Sequence, residues 1–238
     1  MKNTTNTATL LFTLILFFLH QIVNAQYLIR FYQQGKVGYK DSQQHIIAYP
    51  HYDAGSEFEE GIALVVKNNK RGFINHQGNE IIPLKYEDAT LFSNNLACVK
   101  YHGKYGFINR KAEWVIQPIF ENAFSFSEGF ARVQRNGKWG FVNEHGIIKI
   151  ACQYEMVLDF CQGLAVVKKG NVYGYIDKLG NMIIPYKYEM ASNFSNEGKA
   201  IVRTSHEYFY INKKGSIIEK IENKHKEEEF EKQENRQR

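Results

Sequence analysis

Glycine recurs at one fixed interval through most of this chain: Gly38, Gly72, Gly106, Gly140 and Gly174 stand 34 residues apart. A period of that length constrains the fold more than any other feature. One such unit is too small to bury its own apolar face and must stack on its neighbours. Other positions keep the same phase. Each glycine is followed 14 residues later by an aromatic (Tyr52, Tyr86, Phe120, Tyr154, Tyr188) and then at once by an acid (Asp53, Glu87, Glu121, Glu155, Glu189). Next come Phe58, Phe92, Phe126, Phe160 and Phe194, then Gly61, Asn95, Gly129, Gly163 and Gly198, the last displaced by a one-residue insertion. An Ala-x-Val segment, Ala131 to Val133 in the third copy, leads back to the next glycine. A degraded sixth copy from Phe209 to Gly215 closes the array, and the first copy is degenerate too, as capping repeats are.

Turn chemistry sets the structure within a repeat. Asn136-Gly137 lies between Ala131-Arg-Val-Gln134 and Lys138-Trp-Gly-Phe-Val142. Asn-Gly between alternating segments is a strong hairpin signal, because both turn residues take positive φ. Asn143 to Gly146, with Asn75 to Gly78 and Asp177 to Gly180, fits a type I turn. A third strand follows, carrying Ile81/Ile82, Val115/Ile116 and Ile183/Ile184, and is expected to stop near Pro50, Pro83, Pro118 and Pro185. Beyond it, the segment from the aromatic-acid pair to the next Phe and Gly crosses to the following unit. Glycine inside a strand weakens it by roughly 0.5–1 kcal/mol relative to alanine, so something must lie against Gly140; an aromatic ring from a neighbouring repeat is the expected occupant. The fold class is all-β: tandem three-stranded units in an open twisted array, with a five-bladed propeller as the alternative. Three strands per repeat are lean for a blade of about 40–45 residues.

Gly-Lys-Trp-Gly-Phe-Val-Asn at 137–143 and Gly-Lys-Tyr-Gly-Phe-Ile-Asn at 103–109 resemble the WG (KWG) repeat, and the resemblance spans residues 35–218. Tryptophan itself holds the signature position only at Trp139, against Val37, Arg71, Tyr105 and Tyr173 elsewhere. The resemblance implies a bacterial β-rich repeat protein and brings no catalytic residues with it.

The flanks differ from the array. Lys2, the apolar run Leu10 to Leu19 and Val23-Asn24-Ala25 have the charge, core and cleavage site of an export signal over 1–25. A run of about ten apolar residues falls short of the roughly 20 that a spanning helix needs. The mature chain is expected to begin at Gln26, to carry no transmembrane segment, and to be secreted or periplasmic. The repeats then occupy 26–218. Residues 219–238 alternate Glu with Lys and Arg, the composition of a disordered or partly helical solvated tail. The net charge of +5 comes from 30 basic and 25 acidic residues that are scattered rather than clustered, which argues against nucleic acid as a partner. Three cysteines, Cys98, Cys152 and Cys161, exclude a disulfide framework, while pairing of Cys152 with Cys161 stays open.

Chemistry has no visible vehicle. The recurring acids are the tempting set, but a general acid-base pair needs two different environments, and repeat-equivalent acids share one. They are expected to accept backbone N–H bonds or to pair with Lys36, Lys70, Lys104 and Lys138. The histidines outside the leader (His45, His51, His76, His102, His145, His206, His225) lack the spacing of a zinc motif, and no nucleophile elbow or phosphate loop occurs. No catalytic residue, cofactor or metal site is assigned. One residue breaks the pattern: Trp114 occupies a position that reads Ile46, Glu80, Ile148 and Met182 in other copies. A position that accepts glutamate faces solvent, so Trp114 is the candidate contact for a protein or glycan at the cell envelope. The functional expectation is an exported scaffold or binding module. Its alternative is a cell-wall or glycan-active enzyme with an irregular site.

Overall fold

The computed structural model describes residues 28–221, and every described element is a β-strand. The leader, the expected cleavage at Gln26 and most of the charged tail lie outside the described residues. The described residues divide into two compact units, with the boundary between Glu80 and Ile81.

The first unit opens with β1 (Ile29–Gln33), β2 (Lys36–Lys40) and β3 (Ile46–Tyr52), a three-stranded antiparallel sheet in the order β1-β2-β3. β4 (Ala54–Gly55), β5 (Ile62–Lys67) and β6 (Lys70–Asn75) begin the second sheet, whose last strand, β7 (Glu80–Tyr86), starts at the unit boundary. The second unit repeats one plan. Its sheets are β8 (Asp88–Ala89), β9 (Ala97–Tyr101), β10 (Lys104–Ile108) and β11 (Trp114–Phe120); then β12 (Asn122–Ala123), β13 (Phe130–Arg135), β14 (Lys138–Asn143) and β15 (Ile148–Tyr154). There follow β16 (Met156–Val157), β17 (Leu164–Lys169), β18 (Val172–Asp177) and β19 (Met182–Tyr188), and finally β20 (Met190–Ala191), β21 (Ala200–Thr204), β22 (Glu207–Ile211) and β23 (Ile217–Ile221). Neighbours in sequence are neighbours in the sheet throughout, and none of the six sheets closes into a barrel.

Five of the six described sheets therefore have four strands, one more than the three expected for each repeat, and the first has three. The extra strand is the residue pair after the acid, such as Asn122–Ala123, which joins the next sheet through Asn122↔Gln134 and Ala123↔Val133. Two residues are too few to show a period-two alternation, so nothing in the sequence marks them as a strand. With four strands per sheet, the strand count gives no reason to prefer an open array to a propeller.

The hairpin turns follow from residue type. Asn136 (φ 53°) and Gly137 (φ 70°) are both left-handed, and Arg135 pairs with Lys138 across them. A second tight turn, with positive φ at Glu128 and Gly129, folds the crossing segment so that Ser127 bridges to Phe130. At the Asn-x-x-Gly turns the side chain closes the loop: Asn143 Oδ1 accepts the amides of His145 and Ile147, and Gly146 donates to the Asn143 carbonyl.

The strand glycine has a different cause from the expected ring. A Cβ at Gly140 would stand 2.5 Å from the Ile150 carbonyl oxygen and 2.7 Å from the Cys152 nitrogen, both backbone atoms of the adjoining strand β15. Register explains the intrusion. Trp139 pairs with Tyr154 and Phe141 with Ile150, so β15 spends four residues where β14 spends two, and the excess bulges over the glycine. Gly106 and Gly174 meet the carbonyls of Ile116 and Ile184 at 2.6 and 2.7 Å in the same way. The prolines sit in this bulge, where a missing N–H costs no ladder bond. The third strand thus runs through Pro118 and ends two residues on, at Phe120.

Within the second unit the core lies between successive sheets. One buried cluster joins Leu96, Phe107 and Ile116 to Phe126, Ala131 and Val142; the next joins Phe141 and Ile150 to Phe160, Ala165 and Ile176; a third joins Leu164, Tyr175 and Ile184 to Phe194, Ala200 and Ile211. The crossing phenylalanine is the link. Phe126 packs on Phe107 at 4.9 Å, Phe160 on Phe141 at 4.7 Å and Phe194 on Tyr175 at 5.1 Å. Backbone and side chain reinforce the stack, since Ser93 and Ser127 hydroxyls donate to the carbonyls of Phe126 and Phe160.

Candidate functional site

Trp114 opens the outer strand of its sheet, β11, and is half-buried. Equivalent side chains Ile148, Met182 and Ile217 are 37%, 39% and 58% exposed, so the position faces solvent in its sister repeats. Trp114 is more covered because it folds back onto two tyrosines. Its ring meets Tyr86 at 6.1 Å, nearly perpendicular, and Tyr101 at 6.1 Å, tilted. Such edge-to-face pairs add about 0.5–1.5 kcal/mol beyond burial. Lys85 lies over Tyr86 at 5.3 Å and Tyr101 at 5.7 Å, giving the patch a cation held on aromatic faces. Tyr86 is fully buried, its hydroxyl has no hydrogen-bond partner among the described residues, and burial pushes its pKa up, with Tyr101 adding to the effect. Tyr101 replaces Lys67, Arg135 and Lys169 of other repeats, and sequence reasoning passed over it. The signal was available: two aromatic exceptions in one repeat, at positions the topology brings together.

The recurring acids hold turns. Glu121 accepts the amides of both hairpin residues, Asn136 at 3.1 Å and Gly137 at 2.8 Å. Glu87 accepts the Gly103 amide, and Glu189 accepts the Ser205 amide and the Arg203 guanidinium. Asp53 takes the Asn68 amide and the Lys36 ammonium, 2.5 Å away, and its carboxyl lies below the usual range with the Lys36 hydrogen bond as the main cause. Each of these four acids thus grips the hairpin turn of the next sheet, about 16 residues on. Carboxylates spent on fixed amides are poorly placed for proton transfer.

The WG containing repeat matches residues 38–70, 72–105, 105–139, 139–173 and 173–205, more than half of the chain. The chain belongs to the WG-containing repeat family. None of the curated proteins compared with it matches. Among solved structures, it is similar to Hsv2 of Kluyveromyces lactis, with 9% identity and a TM-score of 0.48 over 85% of this chain and 73% of that one. Hsv2 of Kluyveromyces marxianus gives 11% and 0.48 over 79% and 73%. The dihydro-heme d1 dehydrogenase NirN in complex with DHE gives 10% and 0.47 over 82% and 54%.

Other side chains of the WG repeats fall into place around this frame. Cys98, Cys152 and Cys161 are free thiols. Burial raises the pKa of each, most strongly for Cys98 inside the core. Cys161 stands where Ser93 and Ser127 tie one sheet to the next. His45 pairs with the turn aspartate Asp41 at 2.9 Å, and His76 packs edge-on against Phe58. Among the described residues no group of three His, Cys, Asp or Glu is placed to hold a metal, and no helix is long and apolar enough to cross a membrane.

One inter-repeat pair escaped sequence reading. Arg132 Nε lies 2.9 Å from Asp159 Oδ1, and Arg30 Nε lies 3.2 Å from Glu57 Oε1 at the same repeat positions. The Arg132 N–H is not aligned with Oδ1, so the contact is an ion pair without a proper hydrogen bond. The guanidinium also stacks on Phe124 at 3.6 Å and donates to the Val157 carbonyl at 3.3 Å. Val166 with Asn193 takes the same two positions one repeat later.

Proposed function

We propose that this WG-repeat protein is an exported, non-catalytic binding module that engages a protein or glycan at the cell envelope through Trp114 and Tyr101. The observation that carries this reading is local. Where sister repeats present aliphatic side chains to solvent, this repeat presents an indole braced by Tyr86 and Tyr101 beneath Lys85. Rigid aromatics with a polar edge and a neighbouring cation are the groups that dominate contact surfaces. Residues common to all repeats are mostly consumed by architecture: glycine by the bulge, the acid of four copies by the turn, phenylalanine by the core. Binding then falls to the residues that differ. The export signal over 1–25 supports an envelope setting.

The test is retention of the mature protein on peptidoglycan and on immobilised glycans, with the soluble fraction assayed for released product. Saturable retention without product supports a binding module. Product formation would replace it with an enzyme, and absence of retention on every surface would remove the glycan arm and leave a protein partner to be sought by crosslinking at the envelope.

A further inference from the structure

A cleft of about 350 Å³ opens between the fourth and fifth copies, lined by Lys138, Gln153, Tyr154, Glu155, Lys168, Lys169 and Tyr186. Its chemistry departs from the repeat plan at one group. In the other four copies the acid accepts an amide of the following hairpin turn, yet among the described residues the Glu155 carboxylate has no hydrogen bond or ion pair. The turn it would hold differs. Asn68/Asn69, His102/Gly103, Asn136/Gly137 and Ser205/His206 have positive φ at both residues, whereas in Gly170-Asn171 only Gly170 does, at 59°. Gly170-Asn171 therefore makes a different turn, and among the described residues neither of its amides bonds to Glu155.

Three lysines, Lys138, Lys168 and Lys169, line the cleft together with Glu155. Lys138, the equivalent of Lys36, has no ion pair among the described residues although Lys36 grips Asp53; Lys169 likewise has none, and Lys168 lies over the Tyr173 ring at 5.4 Å. Tyr154 forms a buried floor beside Gln153, and the half-buried Tyr186 forms a wall. At the equivalent positions of the third copy, Phe120, Gln134 and Arg135 replace Tyr154, Lys168 and Lys169, and Glu121 is committed to its turn.

We propose that this cleft binds a carboxylate-bearing saccharide, the lysines receiving its carboxylate, Glu155 and Gln153 its hydroxyls, and Tyr186 a sugar face. A bare anion would use the lysines and be repelled by Glu155. A neutral sugar would use Glu155 and leave the ammonium groups unanswered. Only a ligand with both an acid and hydroxyl donors satisfies the whole set. The site is independent of Trp114.

Titration calorimetry of the purified protein with trigalacturonate, maltotriose and inorganic phosphate tests it. Trigalacturonate should bind saturably and weaken with added salt, while maltotriose gives no heat and phosphate at equal concentration does not displace it. Glu155→Gln and the double variant Lys138→Gln/Lys169→Gln should each weaken binding about tenfold or more, the fold-change of one charge-assisted hydrogen bond. Lys149→Gln, an exposed lysine outside the cleft, should bind as the wild type does. All of these positions are at the surface, and a melt of each variant verifies its fold. The proposal is overturned by absence of saturable binding, by equal binding of maltotriose, by full displacement with phosphate, or by double-variant affinity equal to wild type.

Discussion

Arg132→Val should be among the most damaging single changes in the second unit, and Asp159→Asn made with it should undo most of the damage. Arg132 and Asp159 side chains are 13% and 27% exposed, and they face each other at 2.9 Å. Removing one member of a buried ion pair costs about 3–5 kcal/mol, because the remaining charge has lost its solvent and its partner. Asp159 keeps some water, which places Arg132→Val near the lower end, and the lost stack on Phe124 adds about 1 kcal/mol. The double variant recreates the Val166 and Asn193 combination, in which Val166 is buried in the core one repeat later. It should therefore lie within about 1–2 kcal/mol of wild type, since exchanging a buried pair for uncharged residues is often neutral. Acidity supplies a second handle. Burial raises the Asp159 pKa more than Arg132 lowers it. A folded-state pKa above the unfolded one stabilises at pH below the unfolded value, and that contribution is lost as pH rises through the folded value. Without Arg132 the carboxyl rises further, so the Arg132→Val deficit should shrink on acidification as the lone acid takes a proton. Urea melts of wild type, Arg132→Val, Asp159→Asn and the double variant give the coupling directly; Arg132→Val should move the midpoint by roughly 1–2 M. Equal losses in Arg132→Val and the double variant, or a deficit that grows on acidification, would refute the coupling.

Further outcomes follow from the same frame. Gly140→Val drives side-chain carbon into the bulge backbone of β15 and should cost at least the about 1–3 kcal/mol of overpacking, while Lys138→Val, which Val172 already represents, should stay within about 0.5 kcal/mol; denaturant melts that show equal losses would contradict the bulge as the reason for glycine. Glu121→Ala removes two turn hydrogen bonds and should lower stability by about 1 kcal/mol, whereas Glu155→Ala should change it by less than about 0.5 kcal/mol, a contrast that thermal melts can read. Cys98, buried and with its thiol pKa raised, should react with a thiol reagent only on unfolding, while half-buried Cys152 and Cys161 label first; early labelling of Cys98 would place it outside the core.

The parts of this fold that were legible in sequence are those fixed by local chemistry. Asn136-Gly137 needs positive φ at both residues, Asn143 must close its own turn, and the 34-residue phase of Gly140 forces neighbouring sheets to share a core. Features set by one strand's register against another were not legible. That Gly140 underlies a bulge depends on β15 spending two extra residues, and a ring and a carbonyl both exclude a Cβ, so the glycine alone does not separate them. The two-residue strand Asn122–Ala123 is too short to carry a pattern. At the site, Trp114 stood out as a broken rule, but its bracing by Tyr101 required knowing that β9 and β11 flank β10 in one sheet. The Arg132–Asp159 pair was within reach: positions 27 residues apart carry Arg with an acid twice and an apolar residue with a neutral one elsewhere.

The division between residues that build the repeats and residues that bind is tested most directly by Trp114→Ile, which installs the residue found at Ile46 and Ile148. An aliphatic already serves this position in sister repeats, so the melting midpoint should fall by no more than a few degrees, about 1 kcal/mol. Loss of an aromatic contact at the centre of an interface costs roughly 2 kcal/mol or more of affinity, a reduction of about thirtyfold. Retention of wild type and Trp114→Ile on the same envelope preparation, each with its melt, is the measurement. Retention lost with the fold intact is the predicted result; undiminished retention, or a melt that collapses with it, would show that Trp114 belongs to the architecture and not to the binding surface.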